Sequence, residues 1–189
     1  MRARIENATT YTISPGQSNF RPLENPLPRF QRGFEIAVRF DESCWWSAED
    51  WEGDQDRQDW NKLKGLAYYF GLNNHRSAMI AWRPSERENT FEVTAYTNNK
   101  RGGWKTTGNP VEVVAGEVFY ASGNITGRLV EYSITSYGRT SLYTHPWDKV
   151  WLNVYREVGT SIGGANNSPG PYGGEATQDM KMEIDFCLT

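Results

Sequence analysis

The stretch Trp60-Asn61-Lys62-Leu63-Lys64-Gly65-Leu66-Ala67-Tyr68-Tyr69-Phe70-Gly71-Leu72-Asn73-Asn74-His75-Arg76-Ser77-Ala78-Met79-Ile80-Ala81-Trp82-Arg83 decides the fold. It enters as a dense apolar run, turns through a polar tip at Asn73-Asn74-His75-Arg76, and returns alternating. On the return, Ala78, Ile80 and Trp82 point one way, and Ser77, Met79, Ala81 and Arg83 the other. A period of two belongs to a strand with unlike faces. The segment is therefore expected to be a central β-hairpin with a chemically loaded tip.

The alternation continues on both sides. Phe34, Ile36, Val38 and Phe40 form one face of a strand, each contributing roughly 1.5–3 kcal/mol when fully buried. Phe91–Tyr96 alternates again and is expected to pair antiparallel with Ser77–Arg83. Further strands are expected at Val111–Val114, Glu117–Ala121, Arg128–Thr135, Thr140–Tyr143 and Lys149–Glu157. In the last strand, Met180, Met182, Ile184, Phe186 and Leu188 share one face. The apolar faces of Phe34–Phe40 and Asp179–Leu188 match, so these two strands are expected to be neighbours in one sheet. Ser47 followed by Asp50 fits a capping box, which predicts a short helical turn there.

Short strands about ten residues apart, each closed by Gly, Asn or Pro, argue for an all-β single antiparallel sandwich of jelly-roll type. No βαβ rhythm and no repeat is visible. Residues 1–33 differ from the rest, because Pro15, Pro22, Pro26 and Pro28 break any long element. They are expected to form an extended N-terminal arm, with the jelly-roll domain at 34–189.

Composition narrows the function classes. The 189 residues hold 38% apolar side chains, which suits one core rather than two. The net charge of −3, from 20 basic and 23 acidic residues, lacks the basic face that nucleic-acid binding needs. No apolar run is long enough to span a bilayer. The first residues contain no secretory h-region, so a soluble chain made in a cytoplasm is expected. Cys44 and Cys187 are expected to be thiols rather than a disulfide.

Few residues carry a chemical signal. His75, close to Tyr68, Tyr69 and Arg76, offers the acid, base and cation of a polysaccharide lyase, against a loop histidine bonding its own turn. No second catalytic partner has a motif-like spacing, so no catalytic residue is assigned. His145, in Thr144-His145-Pro146-Trp147, reads as a turn residue. Asp54, Asp56 and Asp59 belong to an acidic segment that could supply oxygen ligands to Ca²⁺, against a solvated acidic loop. Trp104, beside Gly102-Gly103 at a hairpin tip, is the tryptophan expected to be exposed as a sugar-stacking platform. Most of the others are expected to pack.

Two segments taken together resemble a known family. They are Lys62-Leu63-Lys64-Gly65-Leu66 with His75, Ser77 and Ala81-Trp82-Arg83, and Gly170-Pro171-Tyr172-Gly173-Gly174 with Asp179-Met180-Lys181-Met182. The pattern resembles an uncharacterised concanavalin-like jelly-roll family seen in gut-type bacteria and in tailed-phage virion proteins, over residues 34–189. The chain departs from it at Gly173, where an aromatic is expected, and at Gln178, where a histidine is. The resemblance implies a fold and a setting, virion surface or glycan contact, and no reaction.

Together these readings predict a non-catalytic, virion-associated structural protein of a tailed phage: a capsid decoration or fibre component assembled in the host cytoplasm. It is expected to be a homo-oligomer that meets other virion proteins through residues 1–33. A surface glycan is expected to meet His75, Tyr68, Tyr69, Trp104 and Arg83, with Ca²⁺ the single cofactor considered. Two alternatives stay open: a free carbohydrate-binding module or lectin, and a polysaccharide lyase using His75 with Tyr68 or Tyr69.

Overall fold

A computed structural model describes residues 3–24, 26–47, 59–71, 75–99, 103–163 and 175–189. Its strands, in chain order, are β1 Thr9–Ile13, β2 Gly33–Phe40, β3 Asn61–Tyr68, β4 Ser77–Pro84, β5 Thr90–Asn99 and β6 Gly103–Thr106. They continue with β7 Val111–Val114, β8 Val118–Thr126, β9 Leu129–Ser136, β10 Arg139–Pro146, β11 Tyr155–Val158 and β12 Met180–Leu188. Among the described residues the helical elements are two single 3₁₀ turns, Ile5–Asn7 and Glu42–Cys44.

The strands form two antiparallel sheets. Sheet A has the order β1-β12-β2-β8-β9-β10, and sheet B the order β11-β3-β4-β5-β6. The short β6 and β7 share one edge of β5, β6 on Tyr96–Asn99 and β7 on Thr90–Val93. This is the all-β sandwich that the alternating runs dictate. The central hairpin is β3–β4, with Gly65 opposite Met79 and Leu66 opposite Ala78. The first and last long strands are neighbours, with Phe40 opposite Met182 and Ile36 opposite Phe186.

Inward-facing residues of the two sheets make one core. An aromatic knot sits at its centre. Phe40 lies 5.0 Å from Trp82, 4.5 Å from Phe91 and 5.6 Å from Phe119, centroid to centroid, and Trp46 stands edge-on to Trp82 at 5.7 Å. Close contact also explains a glycine inside β8. A Cβ on Gly123 would stand 2.5 Å from the Phe34 ring, so only glycine lets that strand run past it. That is why β8 continues beyond the expected end at Ala121.

The strand expected over 149–157 is reduced to β11. Val150, Trp151 and Leu152 are consecutive apolar residues, so the period of two is lost, and Trp151 and Leu152 are exposed. Pro146 ends β10 just before them. The helical turn expected from Ser47 falls largely on residues outside those described. A 3₁₀ turn precedes it instead, capped by the Asp41 carboxylate accepting from the Ser43 N–H at 3.0 Å.

The segment expected as an arm is tied into the sandwich. β1 pairs with β12 at the edge of sheet A. Phe20 is fully buried, and Arg29 exchanges two backbone hydrogen bonds with Tyr155 on the edge of sheet B. The segment thus crosses from one sheet edge to the other. It also brings Glu24 to Lys64, whose ammonium points inward with 1% of its side chain exposed. The pair is 3.2 Å apart, and the Nζ lies 4.7 Å from the Tyr11 ring centroid. Glu24 accepts a second hydrogen bond from the Thr160 N–H at 2.9 Å. The two cysteines are free; Cys44 is buried and burial pushes its thiol up to about 12.

Candidate functional site

In antiparallel sheets, strand register decides which side chains share a face. On sheet B the outward residues are Lys62, Gly65 and Ala67 from β3, and Ser77, Met79, Ala81 and Arg83 from β4. β5 adds Glu92, Thr94, Tyr96 and Asn98, and β11 adds Arg156 and Val158. Ala67, Met79, Ala81, Tyr96 and Val158 form a second apolar cluster on this face, with Trp60 packed against it. Gly65 is the sharpest constraint within it. A Cβ there would stand 2.2 Å from the Ala78 carbonyl oxygen and 2.5 Å from the Met79 Cα. Small side chains at Gly65, Ala67 and Ala81 keep this part of the face low beside two long ones.

Those two are Lys62 and Tyr96. The Lys62 ammonium donates to the Trp60 carbonyl at 2.5 Å and to the Gly163 carbonyl at 3.0 Å, and it lies 5.3 Å from the Tyr96 ring centroid. Burial pulls Lys62 down to about 8, against the nearby Asp59 carboxylate, which favours the charged form. Burial pushes Tyr96 up to about 12, and Asp59 adds to it. A lysine that loses its proton at about 8, beside a phenol that keeps its own there, can divide the two roles of proton transfer.

Around this pair the face carries aromatic and charged groups. Trp104, from β6, stacks on Tyr96 with centroids 6.2 Å apart and planes 12° apart, and is 64% exposed. The Arg83 guanidinium lies 4.4 Å from the Trp60 ring centroid, and its Nε donates to Glu92 at 2.6 Å.

The residues singled out from sequence fall into two groups. Arg83 and Trp104 are on this outward face. Tyr68, Tyr69 and His75 are at the β3–β4 end of the sandwich. Tyr68 is buried there beneath the Arg76 guanidinium, 5.6 Å from its centroid, while Tyr69 and His75 are exposed. Asp54 and Asp56 lie outside the described residues, and the third acidic candidate, Asp59, neighbours Lys62 and Tyr96. His145 is not a turn residue. It lies within β10 with 2% exposure, its Nδ1 is 3.0 Å from the Thr97 hydroxyl, and burial lowers it to about 4. The strand carries three residues further than Tyr143, to Pro146, which turns the His145 side chain into the core.

Lys62 and Tyr96 were not selected from sequence. A signal for them exists. With β3, β4 and β5 paired in order, the alternation already assigns Tyr96 to the face of Met79 and Arg83. Lys62 needs the register as well, because a bulge between Lys62 and Lys64 breaks the parity.

None of the protein-family models matches this chain, and none of the curated proteins does. Solved structures with this fold do. An alginate lyase bound to an alginate trisaccharide superposes with a TM-score of 0.57 at 12% identity, over 96% of this chain and 82% of its own. The alginate lyase of Klebsiella pneumoniae gives 0.54 at 13%, over 83% of this chain and 59% of its own. That of Pseudomonas aeruginosa gives 0.52 at 14%, over 85% and 66%. At such identities the likeness is one of fold: this chain is a jelly-roll β-sandwich of the architecture these lyases share.

Proposed function

We propose that the outward face of sheet B binds an acidic polysaccharide and cleaves it by β-elimination. The observation that carries this is the Lys62 amine, lowered to about 8, held over the Tyr96 ring on one outward sheet face. The fold neighbours add support. Two alginate-bound lyase structures carry alanine at a lysine and a methionine, and at a lysine and a tyrosine, respectively. The outward face here places Lys62, Met79 and Tyr96 together.

The chemistry follows from the two side chains. β-Elimination removes the proton on the carbon next to a uronate carboxylate. The electron pair forms a carbon–carbon double bond as the bond to the glycosidic oxygen breaks, and that oxygen takes a proton. Lys62 as neutral amine accepts the first proton. Tyr96, still protonated at neutral pH, donates the second. Trp104 offers a ring face beside the reacting unit.

Uronate polysaccharides incubated with the protein should develop the ultraviolet absorbance of the new double bond, with a rate that rises as pH climbs through about 8. Tyr96→Phe, which keeps the ring and removes the hydroxyl, should abolish the signal. A flat trace on every uronate polymer, or an unchanged rate in Tyr96→Phe, sinks the reading.

A further inference from the structure

A second arrangement lies away from that face, at the β3–β4 end of the sandwich. Three separate loops meet there: the β3–β4 tip with Arg76, the β8–β9 turn with Arg128, and the segment after β10 with Trp147, Asp148 and Lys149. These five residues line a cleft of about 270 Å³. Three formal positive charges thus meet one negative charge, in a chain whose overall charge is −3. Convergence of cations against the sign of the whole molecule marks a local demand for anion.

The cations are not used up by ion pairs. Among the described residues, no salt bridge engages Arg76, Arg128 or Lys149. The Arg76 Nε is buried and has no hydrogen-bond partner. Its guanidinium rests on the Tyr68 ring, which holds the planar fork in place. Fixed in this way, the guanidinium lines the cleft with N–H donors for a ligand oxygen.

Next to the cleft runs an aromatic shelf. Tyr68 meets Phe70 at 5.9 Å, and Phe70 meets Trp151 at 6.4 Å with the planes 36° apart. Phe70 is 57% exposed and Trp151 79% exposed, two residues along the chain from Lys149. An oxyanion alone would need the cations and not the rings. A sugar ring bearing a carboxylate needs both.

We infer that this end of the sandwich is a second saccharide-binding site, which holds a uronate carboxylate in the Arg76–Arg128–Lys149 cleft and stacks its ring on Phe70 and Trp151. The choice of a uronate rests on the reading of the outward face; the anion-and-ring character rests on this end alone. Such a site would anchor a long acidic chain while the outward face acts on another part of it.

The test is an NMR and calorimetric titration of the full chain with a saturated oligouronate, an uncharged oligosaccharide of equal length, and inorganic sulfate. The oligouronate should shift the Trp151 indole N–H, and the uncharged oligomer should not bind. Arg128→Ala with Lys149→Ala, both at surface positions, should weaken this binding about tenfold or more. Trp151→Ala should retain sulfate and lose the preference for the sugar acid. Lys62→Ala should leave this binding in place while removing turnover. Equal oligouronate binding by the parent and the Arg128/Lys149 double variant would overturn the site. So would sulfate binding with no response to the oligouronate, which would mean an anion site alone. Turnover intact with no binding here removes this inference only, and binding here with no turnover removes the elimination reading only.

Discussion

The two sheets present outer faces that obey the same pleat and carry different chemistry. On sheet A the outward residues form hydroxyl ladders and an ion pair. Ser122 meets Ser133 at 2.8 Å, Thr135 meets Thr140 at 2.9 Å, and Arg39 pairs with Glu183. These are side chains that water would satisfy equally well, and their net contribution is small. On sheet B the outward face has an apolar cluster of its own, Ala67, Met79, Ala81, Tyr96 and Val158, with an amine pressed into it. A face built only for solubility has no reason to bury apolar residues and lower the pKa of a lysine. The difference singles out the outward face of sheet B without reference to any relative.

Matched substitutions test that contrast directly. Lys62→Ala on sheet B should reduce turnover by about 10²–10⁴-fold, the range expected for loss of a proton-transfer group. Ser133→Ala on sheet A should leave turnover unchanged and stability within about 0.5 kcal/mol. Comparable losses from both would erase the distinction between the faces.

The next largest effect concerns the closure that holds the two sheets together at one edge. Glu24→Ala removes the carboxylate facing Lys64 and leaves that ammonium inside, with the Thr160 N–H also unpaired. Breaking a buried pair from one side costs about 3–5 kcal/mol. Urea denaturation should show a loss of that size. A loss below about 1 kcal/mol would mean that the N-terminal segment only rests on the sandwich.

The sequence makes some of this legible and hides the rest, for physical reasons. Phe34–Phe40, Ser77–Arg83, Phe91–Tyr96 and Met180–Leu188 alternate cleanly because each has one face in the core. Their pairing follows from matching apolar sides. The segment 149–157 misleads because aromatic and β-branched residues favour strands even where they do not alternate. Residues 1–33 read as an arm because their prolines mask Ile13 and Phe20, two core side chains without a periodic context. Trp104 and Arg83 were visible as single residues. Lys62 and Tyr96 were not, because their meaning is a shared face across three strands, and a bulge shifts one of them. His145 was hidden by Pro146 beside it, which suggests a turn when it in fact ends a strand.

That histidine provides the third test, because its network spans the interior between the two sheets. Thr97 of sheet B bonds the His145 Nδ1 and, at 2.6 Å, the Tyr132 hydroxyl of sheet A. Burial and Lys105 lower His145 from 6.5 to about 4 in the folded chain. Below 6.5 the unfolded chain takes up a proton that the native chain refuses. Stability attached to this residue is therefore complete above 6.5 and is lost as pH falls from about 6.5 to about 4. The loss is on the order of 3 kcal/mol. His145→Gln should remove that pH dependence from urea midpoints while other acid-sensitive groups continue to titrate. If parent and variant lose stability in parallel across this window, His145 is protonated in the native chain and the network is drawn wrongly.

The smallest effect sharpens the comparison most finely, because it separates holding a sugar from transforming one. Trp104 touches the site through a single stacked ring, and most of its surface is open. Trp104→Ala should therefore cost about 0.5–1.5 kcal/mol of substrate binding, the scale of one aromatic contact. KM should rise several-fold, with kcat nearly unchanged, since the lost contact is equal in ground and transition states. A fall in kcat would place the indole among the groups that align Tyr96 for proton transfer, and Tyr96→Phe combined with Trp104→Ala would then be less than additive. The outward face of sheet B would in that case be a single coupled unit rather than a reacting pair with a neighbouring platform.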